Sequence, residues 1–396
     1  MSKSALFRFT LVVLCFSFAS LGLAQRQMEK LGRGVVALQQ KDGAVVISWR
    51  LLGTEPETTA FNVYRAVGTQ SPVQLNSKPL TGPTLFGDPK PDSKEPSAPF
   101  KLVSEADPMP YLTVPLKTPP GYAPNDASIG DIDGDGEYEI ILHQVGRAKD
   151  NSQKGETDPP ILQAYKLDGT LLWSINLGKN IREGAHYTQF MVYDLDGDGR
   201  AEIACKTADG TTDGKGKVVG DANADYRNEN GYILKGPEFL TIFDGLTGAA
   251  LATTNYIPPR HPTNGLDPSS DELKETWGDG YGNRNDRFLA CIAYLDGVRP
   301  SLVMCRGYYT RTVLAAWNWR DNALTPVWTF DSDDPAYPEN KPLGGQGDRD
   351  RLRRHVHRRQ WPRTLDDGPR PWRCDACFRF RSGSSRFRDV PHSRAV

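Results

Sequence analysis

One pattern occurs twice in this chain and constrains its fold more than any other. Gly130-Asp131-Ile132-Asp133-Gly134-Asp135-Gly136-Glu137-Tyr138-Glu139 is the first copy, and Tyr193-Asp194-Leu195-Asp196-Gly197-Asp198-Gly199-Arg200-Ala201-Glu202 is the second, 63 residues later. Carboxylates at positions 1, 3 and 5 of a tight loop converge on one point. Glycines at 4 and 6 let the backbone turn, and a carbonyl at 7 with the Glu at 9 closes an oxygen cage of Ca²⁺ size. Without a cation, so many like charges repel. An EF-hand is excluded, because no Glu stands at position 12 and short apolar runs flank the loops instead of helical periods. The expected metal ligands are therefore Asp131, Asp133, Asp135 and Glu139, and Asp194, Asp196, Asp198 and Glu202. The expected ion is Ca²⁺, holding neighbouring β units together. Such loops identify calcium better than they identify chemistry.

The surrounding sequence repeats short apolar strands between Gly- and Asp-rich turns. Residues 164–173 read as a hairpin with Asp168-Gly169 at its turn, residues 240–251 repeat that design, and residues 292–304 form a weaker third copy. Recurring antiparallel units without helices predict an all-β chain with a partial β-propeller. Before it, residues 35–38, 44–52 and 60–65 alternate as strands, with Val45, Ile47, Trp49 and Leu51 on one face, and predict a small N-terminal β-sandwich. Thirteen of the 30 prolines fall between residues 72 and 124, marking edge strands or linker. Residues 1–24, with Lys3 and Arg8 before a short apolar run and Gly22-Leu23-Ala24 at its end, read as a signal peptide, so a secreted or periplasmic protein is expected, with no membrane span after cleavage.

Composition narrows the partners. With 48 Lys+Arg against 49 Asp+Glu the chain is no basic nucleic-acid binder. Of the cysteines left after the signal, Cys205, Cys291 and Cys305 lie in apolar segments and are expected as small core residues; the odd count argues against a disulfide framework. The loop 206–221 is Gly-rich but lacks a phosphate-loop signature, and Asp209, Asp213, Asp221 and Asp225 are weaker calcium candidates beside a plain polar turn cluster.

Taken together, residues 26–37, 48–56, 61–65, 125–131, 150–153, 184–194, 222–228, 281–283 and 299–309 resemble the rhamnogalacturonan lyases of polysaccharide lyase family 11. The likeness runs over about residues 26 to 347. It implies a fibronectin III-like domain with its Pro-rich linker at 25–118, and an incomplete lyase domain, eight-bladed in the family, at 119–347. It also implies Ca²⁺, a monomer, and pectic rhamnogalacturonan I as partner, cleaved by β-elimination at galacturonate. In that chemistry a base removes the C5 proton, which is acidic only while the adjacent carboxylate is neutralised, and the C4–O4 bond breaks. Asn125 matches a family position that touches sugar. His143, Arg147, His186 and Lys206 are polar groups that can face a cleft or serve structure; no catalytic residue is assigned. A non-catalytic calcium propeller that binds carbohydrate or mediates adhesion is the alternative.

After Gly347 the resemblance stops. Residues 348–396 hold 14 Arg and 6 Asp, and no Lys, Glu, Ile, Asn, Met or Tyr. A permissible coding of residues 372–390, shifted by one base, spells Gly-Asp-Ala-Met-His, which matches a family segment missing here. A reading-frame shift near codon 347 therefore explains both the Arg excess and the Cys374/Cys377 pair better than an RNA-binding tail or a zinc cluster, and a chain inactive as written is expected.

Overall fold

A computed structural model describes residue 27 and residues 31–39, 44–53, 55–56, 58–65, 71–88 and 113–335. Residues 1–24, read above as a signal peptide, and residues 348–396 lie outside the described residues. The N-terminal part is built from short strands. β1 (Val36–Gln39), β2 (Val45–Ser48) and β7 (Leu85–Asp88) form one antiparallel sheet in the order β1-β2-β7; β3 (Ala60–Phe61) pairs with β6 (Leu80–Thr81), and β4 (Tyr64–Arg65) with β5 (Val73–Gln74). Ala37, Ile47, Trp49 and Val63 form its core, with the Trp49 ring edge-on to Phe61. Two expectations change here. The run 60–65 breaks into two separate strands at Asn62-Val63, where the buried Asn76 takes the Val63 N–H (2.7 Å) and donates to the Phe61 carbonyl. Leu51 lies beyond the end of β2 and is exposed instead of sharing the Ile47 face.

From residue 123 the chain lays down three four-stranded antiparallel sheets in succession. β8 (Ala123–Gly130), β9 (Glu139–Val145), β10 (Ile161–Tyr165) and β11 (Leu171–Asn176) form the first. It is extended at its outer edge by a hairpin of β14 (Thr211–Thr212) and β15 (Val218–Val219). β12 (Phe190–Tyr193), β13 (Glu202–Ala208), β16 (Glu238–Phe243) and β17 (Ala250–Asn255) form the second. β18 (Phe288–Ala293), β19 (Ser301–Arg306), β20 (Val313–Arg320) and β21 (Ala323–Asp331) form the third. In each sheet the strands pair in chain order, and the leading strand β12 lies against both β8 and β18. The protein is all-β with several sheets, and the described residues form no closed ring.

Burial explains why these segments are strands. β10, β13 and β19 are buried along their whole length, whereas the outer β17 alternates half-buried and exposed. A strand covered on both faces needs a continuous apolar run, and an edge strand needs only one apolar face. One apolar layer joins Ile141, Leu162 and Trp173 of the first sheet to Val192, Ile203 and Phe243 of the second. The next joins Ala204, Leu240 and Ile242 to Leu302, Met304 and Trp317 of the third. As expected, the cysteines are small core residues: Cys205 is buried in the first layer, and Cys291 and Cys305 in a further apolar cluster of the third sheet with Val303, Leu314 and Phe330.

The hairpins at Asp168-Gly169 and at residues 244–249 fall where the sequence placed them. The third does not repeat their position. Residues 294–300 join β18 to β19, the first turn of the third sheet, so they correspond in place to the two acidic loops. There Tyr294 stands at the first loop position and an Asp296–Arg299 pair (2.8 Å) replaces the carboxylate cage. One helix, α1 (Ser270–Trp277), also departs from the strand-only expectation. Ser269 and Glu272 cap it reciprocally, Gly278 ends it with φ 91°, and Leu273 and Trp277 are its buried anchors.

Candidate metal centres

Each acidic loop joins the first two strands of its sheet, and the two are built alike. Gly134 and Gly136 (φ 80° and 89°) and Gly197 and Gly199 (φ 87° and 96°) take the left-handed conformation that a side chain resists. The turn they make points backbone N–H groups inward. Asp131 accepts from Gly134 N (2.7 Å) and Gly136 N (2.9 Å), and Asp194 accepts from Gly197 N (2.7 Å) and Gly199 N (3.1 Å). Glu139 reaches back to Ile132 N (3.1 Å), and Glu202 to Leu195 N (2.8 Å).

Oxygen atoms of Asp131, Asp133 and Glu139 lie within 4.8 Å of one another, as do those of Asp194, Asp196 and Glu202. Asp135 and Asp198 stay outside these groups. Asp135 turns onto Glu137 N (2.8 Å), and Asp198 onto Arg200 N and its guanidinium.

The electrostatics agree. Burial, opposed by the Leu195 N–H and reinforced by Asp196 and Asp194, pushes the Glu202 carboxyl up to about 9. Burial likewise raises Glu139 to about 7, and Asp194 is raised. Lys166 sits over the first loop, 2.6 Å from Asp133, and partly balances it. An all-oxygen set of carboxylates, two of them almost fully buried in each loop, fits a hard divalent cation of the Ca²⁺ kind.

Both loops are set into the seams between sheets. Ala201 N of the second loop donates to Asp131 O of the first (2.7 Å). Ile132 packs against Gly245, where an added Cβ would fall 1.9 Å from Ala201 O, and Gly245 O accepts from Trp173 Nε1 (2.7 Å). Leu195 enters the second apolar layer, and Arg320 of the third sheet donates to its carbonyl. The N-terminal part docks on this same end. Gln27 N donates to Val298 O, Gly32 N donates to Gly136 O (3.1 Å), and the Arg50 guanidinium covers Tyr138 at 4.4 Å.

The other sequence candidates scatter. Asn125 is exposed at the start of β8, beside a register break. His143 is buried against Glu183 (3.0 Å), Arg147 pairs with Asp158 at the surface, and His186 is half-buried before β12. Asp209, Asp213, Asp221 and Asp225 do not gather. Asp209 accepts from Asp221 N and Tyr226, Asp213 accepts from Lys215, Lys217 and Ala250 N–H groups, and Asp225 pairs with Arg227. Asp213 thereby ties its turn to the start of β17, and Asp209 ties the end of β13 to residues 221 and 226.

Lys206 serves structure: it is buried and belongs to an ionic cluster between the second and third sheets. Glu238 lies 3.0 Å from Lys206, 3.2 Å from Arg260 and 2.6 Å from Arg306, and Arg306 also reaches Asp286 (3.3 Å). Burial opposes ionisation of Glu238, but the three cations outweigh it and hold the carboxyl well below its usual range. Arg260, Glu238, Asp286 and Arg306 were not singled out in the sequence; charged residues ending otherwise apolar strands at 238 and 306 were the available signal.

Successive four-stranded sheets with acidic, oxygen-only loops at their seams define a class: repeated-sheet all-β proteins whose loops could hold a metal ion. The chain belongs to rhamnogalacturonan lyase family 11. The family's C-terminal domain matches residues 111–353, and the rhamnogalacturonan I lyase β-sheet domain matches residues 26–97. The rhamnogalacturonan endolyase YesW of Bacillus subtilis (strain 168) is 51% identical over 341 residues, 82% of this chain and 52% of its own. The exolyase YesX of the same organism is 52% identical over 344 residues, 82% and 53%. The crystal structure of YesW superposes with a TM-score of 0.67 at 48% identity, covering 80% of this chain and 55% of that one. The chain thus spans about half the length of the curated relatives it matches.

Proposed function

We propose that this chain is the N-terminal half of an exported, calcium-dependent lyase that cleaves the rhamnogalacturonan I backbone of pectin by β-elimination at galacturonate. The observation that carries the reading is 51% identity sustained over 341 residues to an endolyase acting on rhamnogalacturonan. Ca²⁺ held by Asp131, Asp133, Asp135 and Glu139, and by Asp194, Asp196, Asp198 and Glu202, would supply positive charge that lets the sheets pack around buried carboxylates. Asp135 and Asp198 would swing inward on binding. The three sheets are then three blades of an eight-bladed ring, preceded by the small domain at 25–118, and Asn125 is a sugar contact. Because the chain spans half of its relatives, cleavage is assigned to the completed protein. A reading-frame shift near codon 347 accounts for residues 348–396, and a chain inactive alone follows from it.

The test joins residues 25–347 to the remaining half of the Bacillus subtilis endolyase and adds rhamnogalacturonan I. The expected product carries the ultraviolet absorbance of a new C4–C5 double bond, while the chain alone gives none. Binding without cleavage would favour a non-catalytic calcium propeller, and cleavage without the double bond would make the protein a hydrolase.

A further inference from the structure

The inserts after β17 and β19 leave the sheets at the end opposite the acidic loops, and between them lies a cleft of about 590 Å³. The cleft is open to solvent, which suits a segment of an extended chain better than an enclosed small molecule. Two tyrosines project into it, Tyr281 at 42% exposure and Tyr309 at 43%. Tyr309 is held there against its own preference. Its φ is 69°, and Thr310 N donates to Tyr308 O (2.9 Å) across it. A bulky residue at the centre of such a three-residue turn is strained, and strain of this kind gathers at sites that position a group. The Arg287 guanidinium lies 5.4 Å from the Tyr309 ring centroid, the Tyr308 ring packs edge-on to Tyr309 at 4.4 Å, and the Tyr232 ring centroid lies 6.3 Å from that of Tyr281.

The cleft lining carries two cations, Lys274 and Arg284, against one carboxylate, Asp279. Arg284 crosses Gly278, where an added Cβ would lie 2.4 Å from Nη1, and its Nε faces Asp279 Oδ2 at 3.8 Å. Asp279 Oδ1 is occupied by the N–H groups of Tyr281 and Asn283, which fixes the turn that carries both groups. The Arg284 Nη atoms make no hydrogen bond among the described residues, and Lys274, exposed on the last turn of α1, lines the same cleft. Flat aromatic faces suit the apolar face of a pyranose ring, and a guanidinium fork suits a carboxylate.

We propose that this cleft is a binding subsite for a uronate residue of an acidic oligosaccharide, with Arg284 and Lys274 on the carboxylate and Tyr281 and Tyr309 against the ring. The inference rests on the pectin reading above and adds a site away from the metal loops. The test is calorimetry on the full chain with three probes: a rhamnogalacturonan I backbone tetrasaccharide, digalacturonate and neutral galactobiose. The two acidic probes bind and the neutral one does not. Arg284→Gln and Tyr309→Gly each weaken binding at least about tenfold, and Lys274→Gln about threefold. Glycine suits the backbone at 309, so that variant keeps its fold and tests the ring alone. Binding by the wild type that both Arg284→Gln and Tyr309→Gly leave unchanged overturns the subsite and leaves the family reading intact. No binding of either acidic probe also overturns it, and the double-bond assay on the completed protein then judges the family reading independently.

Discussion

Glu202 offers the sharpest perturbation. In the metal-free protein its carboxyl is raised from 4.5 to about 9 by burial, so the folded chain holds a proton there that the unfolded chain releases near pH 4.5. Between those values the native state binds more protons, and stability falls as pH rises. Relative to acid conditions the loss at pH 7 is that of roughly 2.5 pH units, about 3 kcal/mol at ~1.4 kcal/mol per unit. That is a large share of the roughly 5–15 kcal/mol that keeps a domain folded. Glu202→Gln mimics the protonated form and still accepts from Leu195 N. Under a chelator it is therefore expected to exceed the wild type by about 3 kcal/mol at pH 7, and by under about 1 kcal/mol at pH 5. With Ca²⁺ present the order reverses, because the variant has lost a ligand. Denaturant unfolding at the two pH values, with chelator and with Ca²⁺, reads all four states. Equal stability of the chelated wild type at pH 5 and pH 7 refutes the reasoning, as does a glutamine variant with no advantage under chelator.

Three further outcomes follow from the geometry. Gly199→Ala forces a side chain into φ 96° and is expected to weaken cation binding at the second loop about tenfold while sparing the first, as read by calcium titration. Glu238→Gln leaves Lys206, Arg260 and Arg306 buried with Asp286 as their remaining carboxylate, and a loss of about 3–5 kcal/mol in unfolding free energy is expected. Arg50→Ala removes the guanidinium from Gly32 O, Gly136 O and the Tyr138 ring. It is expected to cost about 1 kcal/mol locally and to speed hydrogen exchange of the Gly32 amide.

What the sequence made legible was whatever is encoded locally. The acidic loops were readable because their carboxylates and glycines lie within nine residues, and the central strands because burial on both faces leaves them mostly apolar, as in Leu302–Cys305 of β19. Locality also misled. Residues 292–304 carry the Leu-Asp-Gly of an outer hairpin, yet they open the third sheet, because strand position depends on how many strands came before. α1 is too short to show a helical period, although Ser269 and Glu272 had the spacing of a capping box. The ionic cluster had no local signature. Lys206, Glu238, Arg260, Asp286 and Arg306 come from five separate segments, and only the stacking of the second sheet on the third brings them together.

Paired loops that act as cation braces between successive sheets must take up Ca²⁺ and gain stability from it. Calcium titration of the chain against a double Asp131→Asn/Asp194→Asn variant tests this most directly. The variant is expected to lose two binding events, and Ca²⁺ no longer raises its unfolding midpoint. Unchanged stoichiometry with an unchanged Ca²⁺-dependent midpoint would contradict this.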